Sequence, residues 1–189
     1  MTTLAPTLYA RTFPRIAGWL RDLTLIVLSA LFVAAIAQVK IPLPFTPVPL
    51  TGQTFAVLLV AAVLGSKRGA ASIVLYIALG AFGLPIFAGG ASGMAYLTGA
   101  TLGYLVGFFL AAYIIGLLAE HGLERNFRTS IFPFLVGTVI IYFCGTAWMA
   151  FSLGLEKAIL LGVLPFLVGD SIKIALAAMT LPMAWKFEN

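Results

Sequence analysis

Two ionisable residues interrupt an apolar stretch near the end of the chain: Asp170 and Lys173, in the run Pro165-Phe166-Leu167-Val168-Gly169-Asp170-Ser171-Ile172-Lys173. Spaced at i and i+3, they share one helix face. Ionisable groups in a bilayer helix cost several kcal/mol, so they face a partner or a cavity. Two readings follow: a structural ion pair that neutralises itself, or the polar end of a ligand pocket. A third, with Asp170 as a proton relay, belongs to a stand-alone secondary transporter. Gln53 and Thr54 add polar groups directly after a proline-rich segment, where Thr54 is equally a candidate helix cap. Tyr76, Tyr96 and Tyr142 each bring a ring and a hydroxyl, suited to a pocket wall or to packing.

Other chemistry is absent from the sequence. There is no P-loop, no GxGxxG, no HExxH and no paired-cysteine spacing. The single Cys144 can form no intramolecular disulfide, and the lone His121, beside Glu120 and Glu124, reads as a solvated loop residue. The expectation is no enzyme, no metal and no cofactor. Only 9 % of the 189 residues are charged, against about 25 % in soluble proteins. Apolar residues make up 62 % and mean hydropathy is +1.11. A soluble fold of this size cannot cover so much apolar surface. The net charge of +5 reports membrane topology rather than nucleic-acid binding.

The elements that must position the pair are membrane helices. The apolar runs predict an all-α membrane protein, a six-transmembrane-helix bundle in one domain, with spans near 22–40, 52–66, 69–83, 97–119, 131–155 and 164–185. The second and third are short for a crossing, which takes about 20 residues. The segment 41–49 holds four prolines and cannot be regular helix; 83–96 is glycine-rich yet apolar. Both loops are expected to dip into the bundle, because irregular backbone at membrane depth needs protein or a water-filled cavity. With both termini cytoplasmic, the inner segments collect Arg11, Arg15, Arg21, Lys67, Arg68, Arg125, Arg128 and Lys186, leaving only Lys40 and Lys157 outside. That bias fits the positive-inside rule and puts Trp19 and Trp185 at the inner interface. It also puts Asp170 and Lys173 in the outer third of the last span, beside the two irregular loops. The early arginines, the first apolar run and Ala35-Ile36-Ala37 resemble a signal peptide. That run is long for one, and no cleaved leader is expected. Small residues recur four apart at Ala30 and Ala34 and at Gly99, Gly103, Gly107 and Ala111, spacing that lets helices approach closely.

Several segments carry a resemblance: Pro47-Val48-Pro49-Leu50-Thr51-Gly52-Gln53-Thr54, Gly80-Ala81-Phe82-Gly83-Leu84-Pro85 through Gly89-Gly90, Gly103-Tyr104-Leu105-Val106-Gly107-Phe108, and Pro165-Phe166 through Lys173. Together the chain resembles the BioY family, biotin-binding S components of energy-coupling factor (ECF) vitamin transporters. Where that family commonly reads Gly-Pro-Thr-Gly-Gly-Tyr, this chain has Gly99-Ala100-Thr101-Leu102-Gly103-Tyr104. The resemblance implies high-affinity biotin capture from outside the cell membrane, powered through a transmembrane coupling subunit and two cytoplasmic ATPases. It places Ala30 and Ala34 on the face for that coupling subunit. Asp170 and Lys173 are then expected at the ureido ring, Tyr76 beside the bicycle, and Gln53 with the Gly89 and Gly90 amides at the tail carboxylate. An S component for another small vitamin is the nearest alternative.

Overall fold

A computed structural model describes residues 3–186. A short helix α1 (Leu4–Thr12) precedes α2 (Gly18–Ala37). Two-residue strands β1 (Lys40–Ile41) and β2 (Leu50–Thr51) pair antiparallel, Lys40 opposite Thr51 and Ile41 opposite Leu50. The four prolines of 41–49 fall in the loop this hairpin carries, where a missing N–H costs no ladder bond. Then come α3 (Gln53–Leu64) and α4 (Ser66–Ala81), separated only by Gly65 at φ +84°. A one-residue turn of this kind needs the left-handed backbone that glycine adopts without steric cost. A long irregular loop holds α5 (Met94–Leu97), followed by α6 (Leu102–Glu120) and α7 (Phe127–Leu153). The chain closes with α8 (Leu155–Gly162) and α9 (Leu167–Lys186), and 3-10 turns lie at Leu123–Arg125 and Leu164–Phe166.

Among the described residues, four stretches are long and apolar enough to cross a membrane: Gly18–Ala37, Leu102–Glu120, Phe127–Leu153 and the run Leu155–Lys186. The expected spans 52–66 and 69–83 are helices of 12 and 16 residues, below the length of an upright crossing. Helix α3 lies in the core, with Ala56, Val57, Leu58, Ala61 and Ala62 buried. The expected span 97–119 starts later, at Leu102, because Thr98 and Gly99 turn the chain back with N–H bonds to Met94 and Tyr96 carbonyls. Helices α1 and α8 have no counterpart among the expected spans. Each is too short to show as an apolar run, and is held by burial of Leu4 and Pro6 or of Ala158 and Gly162.

Helices α6 and α7 form the central contact. A Cβ on Gly107 would come within 2.8 Å of the Ile141 Cα, so the glycine stripe serves internal packing, as small residues do between membrane helices. Ala30 and Ala34, expected on a partner face, require a correction. They are 1 % and 6 % exposed, buried by the chain itself where α2 packs on α3 and α4. The small side chains let α2 approach its own neighbours, and Leu28 and Leu31 face outward instead.

Ion pairs gather one end of the bundle. Arg68 Nε and Nη2 lie 2.9 and 3.1 Å from the two Asp22 carboxylate oxygens, joining the starts of α2 and α4. Glu120 Oε1 accepts from the Ser66 N–H at 2.7 Å and the Ser66 hydroxyl at 2.8 Å, placing a carboxylate on the positive N-terminus of α4. Arg125 stacks 4.6 Å above the half-buried Trp185 ring, so this indole packs inward, whereas Trp19 is exposed.

Candidate functional site

At the other end, β2 and the first turns of α3, α6 and α9 surround a small cavity that opens at one side. Helix α9 begins just after Pro165, so Asp170 and Lys173 fall in its first two turns and point at the start of α3. Lys173 Nζ donates to Asp170 Oδ1 at 2.7 Å, to the Thr51 carbonyl at 2.7 Å and to Thr54 Oγ1 at 2.8 Å. The Thr54 hydroxyl in turn donates to Asp170 Oδ1 at 3.0 Å, and the Tyr142 hydroxyl donates to Asp170 Oδ2 at 2.6 Å. Asp170 is 4 % exposed. Three donors, one of them cationic, stand where its water shell would be. Thr54 is thus a bridge between the two charges and caps no helix.

The network is both an ion pair and one wall of the cavity. Oδ1 holds two donors while Oδ2 holds one, so an acceptor site remains on Oδ2. The three Lys173 hydrogens are all engaged, so a ligand oxygen takes one by displacing a protein acceptor. The opposite wall is apolar, built by Val48, Leu105, Phe108, Ile141 and Phe166. Such a cavity suits a ligand with one polar end and an apolar body.

Of the expected site residues, Asp170, Lys173 and Gln53 line this cavity, as do Thr54, Tyr96 and Tyr142. Tyr76 does not. It is fully buried, accepts from Gln53 Nε2 at 2.6 Å and meets the edge of Phe87 at 5.5 Å. Phe87 stacks on Tyr96 at 4.8 Å, and Tyr96 presents the ring to the cavity. Gly89 and Gly90 are also displaced from the expected role. At φ +66° and +80° they fold the loop onto the end of α2, where the Gly89 N–H donates to Ala37 O at 3.2 Å and the Gly90 N–H to Phe87 O at 3.0 Å. Neither amide is free for an anion. Gln53 is held at both ends, its carbonyl oxygen accepting from the Thr51 hydroxyl at 3.0 Å, and one of its two Nε2 hydrogens is left over.

Sequence reasoning missed Thr101, Tyr104 and the Thr51 carbonyl. Tyr104 lies in the quoted Gly103-Tyr104 segment, and its hydroxyl donates to the Gly162 carbonyl at 2.7 Å, fastening α6 to the end of α8. The proline-rich loop reaches over the cavity with Val48 and Pro49 and is tied across it by Thr46, whose hydroxyl donates to the Leu161 carbonyl at 2.7 Å. No group of three or more His, Cys, Asp or Glu side chains suited to a metal forms among the described residues.

The BioY family profile matches residues 5–189. The chain belongs to the BioY family. A probable biotin transporter BioY from Pyrococcus horikoshii is 44 % identical over 153 residues, covering 80 % of this chain and 90 % of that protein. The biotin transporter BioY of Thermotoga maritima is 43 % identical over 140 residues, covering 74 % and 82 %. Among solved structures, the S component for biotin from an ECF-type ABC transporter superposes with a TM-score of 0.79 at 26 % identity, over 88 % of this chain and 92 % of that one. The BioY cavity described above therefore sits in an S-component fold.

Proposed function

We infer that this chain takes up biotin as the substrate-capturing membrane subunit of an ECF transporter. The observation that carries the reading is the Asp170–Lys173 pair set into one wall of a cavity whose other wall is apolar. Biotin has a ureido ring with two N–H donors and a carbonyl, an apolar bicycle, and a carboxylate on a flexible tail. Asp170 Oδ2 accepts a ureido N–H, and Lys173 donates to the ureido oxygen by releasing Thr51 or Thr54. The bicycle packs on the apolar wall, with Tyr96 in the place first expected for Tyr76. The reverse orientation would bury the tail carboxylate away from water, which costs more than leaving it near the mouth. The proton-relay reading is weakened by Lys173, which already neutralises Asp170 at 2.7 Å.

The cavity opens to the outside and the basic end faces the cytoplasm, a placement supported by the positive-inside rule. Energy comes from a transmembrane coupling subunit and two ATPases, since this sequence carries no nucleotide-binding motif. Mass spectrometry of ligand co-purifying with the protein tests the reading. Biotin is the expected species; a different vitamin recovered at full occupancy would sink it.

A further inference from the structure

We propose that Lys40 is a specificity-determining residue that pairs with the ligand's tail carboxylate at the cavity mouth. The role rests on biotin being the ligand. The groups first expected to receive that anion are engaged or uncharged: the Gly89 and Gly90 amides bond the Ala37 and Phe87 carbonyls, and the Gln53 amide, bonded to Thr51 and Tyr76, keeps one N–H but carries no charge. Lys173 spends its three hydrogens on Asp170, Thr51 and Thr54. None of these groups offers the tail carboxylate a free cation.

Lys40 is placed to be that cation. It pairs across the hairpin with Thr51, the cavity-lining residue whose carbonyl holds Lys173. Directly opposed residues of an antiparallel pair project from the same face, with Cβ atoms about 4.5–5.5 Å apart. The Lys40 side chain is exposed and lies across Gly89. A Cβ there would come within 2.6 Å of Lys40 Cδ and 3.4 Å of Nζ. Gly89 thus leaves the seat along which the lysine stem runs. Among the described residues the Lys40 ammonium forms no ion pair or hydrogen bond. An uncompensated cation stands one cross-strand step from the cavity lining at Thr51. Lys157, the other basic residue expected outside, lies on α8 and takes no part in the strand pairing.

The test measures binding of biotin and of biotin amide to the purified protein and to Lys40→Gln, Lys40→Arg and Lys157→Gln. An exposed ion pair predicts that the unaltered chain prefers biotin over its amide by roughly two- to five-fold. That preference should shrink as salt is raised. Lys40→Gln should abolish the preference by weakening biotin alone, while Lys40→Arg and Lys157→Gln keep it. A preference that survives Lys40→Gln, an equal weakening of both ligands, or loss of the preference in Lys157→Gln would each overturn the assignment and leave biotin as the ligand. Failure of the unaltered chain to bind either compound would overturn the biotin reading and this one together.

Discussion

Asp170 is held by three protein donors, and the consequences of removing any one can be ordered. Asp170→Asn keeps the shape but loses the charge, leaving Lys173 without a counter-ion in a site of low exposure. It should weaken biotin binding by about 2–5 kcal/mol, the range for breaking a buried charged pair, as read by isothermal titration. Thr54→Val removes the hydroxyl that accepts from Lys173 and donates to Asp170. A loss of about 1.5–3 kcal/mol is expected, as for a hydrogen bond to a charged group, and Thr54→Ser should restore it. Equal binding by Thr54→Val and the unaltered chain would show the bridge to be incidental. The Asp–Lys pair was legible in the sequence because charge in an apolar helix is costly and a spacing of three fixes a common face. Which tyrosine lines the cavity was not. Tyr76 and Tyr96 look alike in sequence, and the outcome depends on Phe87 standing between them.

For the helices, patterning revealed the long spans and missed what packing alone decides. The AxxxA step at Ala30 and Ala34 has the same spacing whether it meets another protein or its own bundle; burial settles it as internal here. Ala30→Trp should therefore destabilise the fold itself, by about 1–3 kcal/mol or more for overpacking, and lower biotin binding along with thermal stability. Unchanged stability in detergent would return the face to an external partner. The short helices α1 and α8 were illegible for a different reason: nine and eight residues form no stable helix without tertiary contacts. At the end opposite the cavity, Glu124 is buried beside the last turn of α9. Burial pushes its carboxyl above the ordinary value of 4.5, and Arg125 Nε at 3.9 Å offsets this only in part. The folded chain then holds that proton more tightly than the unfolded chain, so stability falls as pH rises above about 4.5. Glu124→Gln should flatten that slope in thermal melts from acidic to neutral pH; an unchanged slope would assign it to other groups.

At the scale of the whole molecule, contacts sort the charges into two ends. Asp22–Arg68 and Ser66–Glu120 mark one, Lys40, Asp170 and Lys173 the other. The positive-inside bias then predicts that a tag after Asn189, beyond the described residues, is shielded in intact cells and reached only after permeabilisation. Labelling from outside would invert the orientation and the direction of capture with it. The same arrangement has an electrical side. Asp170 and Lys173 cancel within a single helix turn, so the cavity wall they form brings no net charge of its own into the transmembrane field. Biotin adds one negative charge on arrival. A full inward crossing of an inside-negative membrane works against that charge by about 2.3 kcal/mol per 100 mV. The voltage dependence of uptake thus belongs to the cargo, and collapsing the membrane potential should speed entry of biotin relative to its uncharged amide.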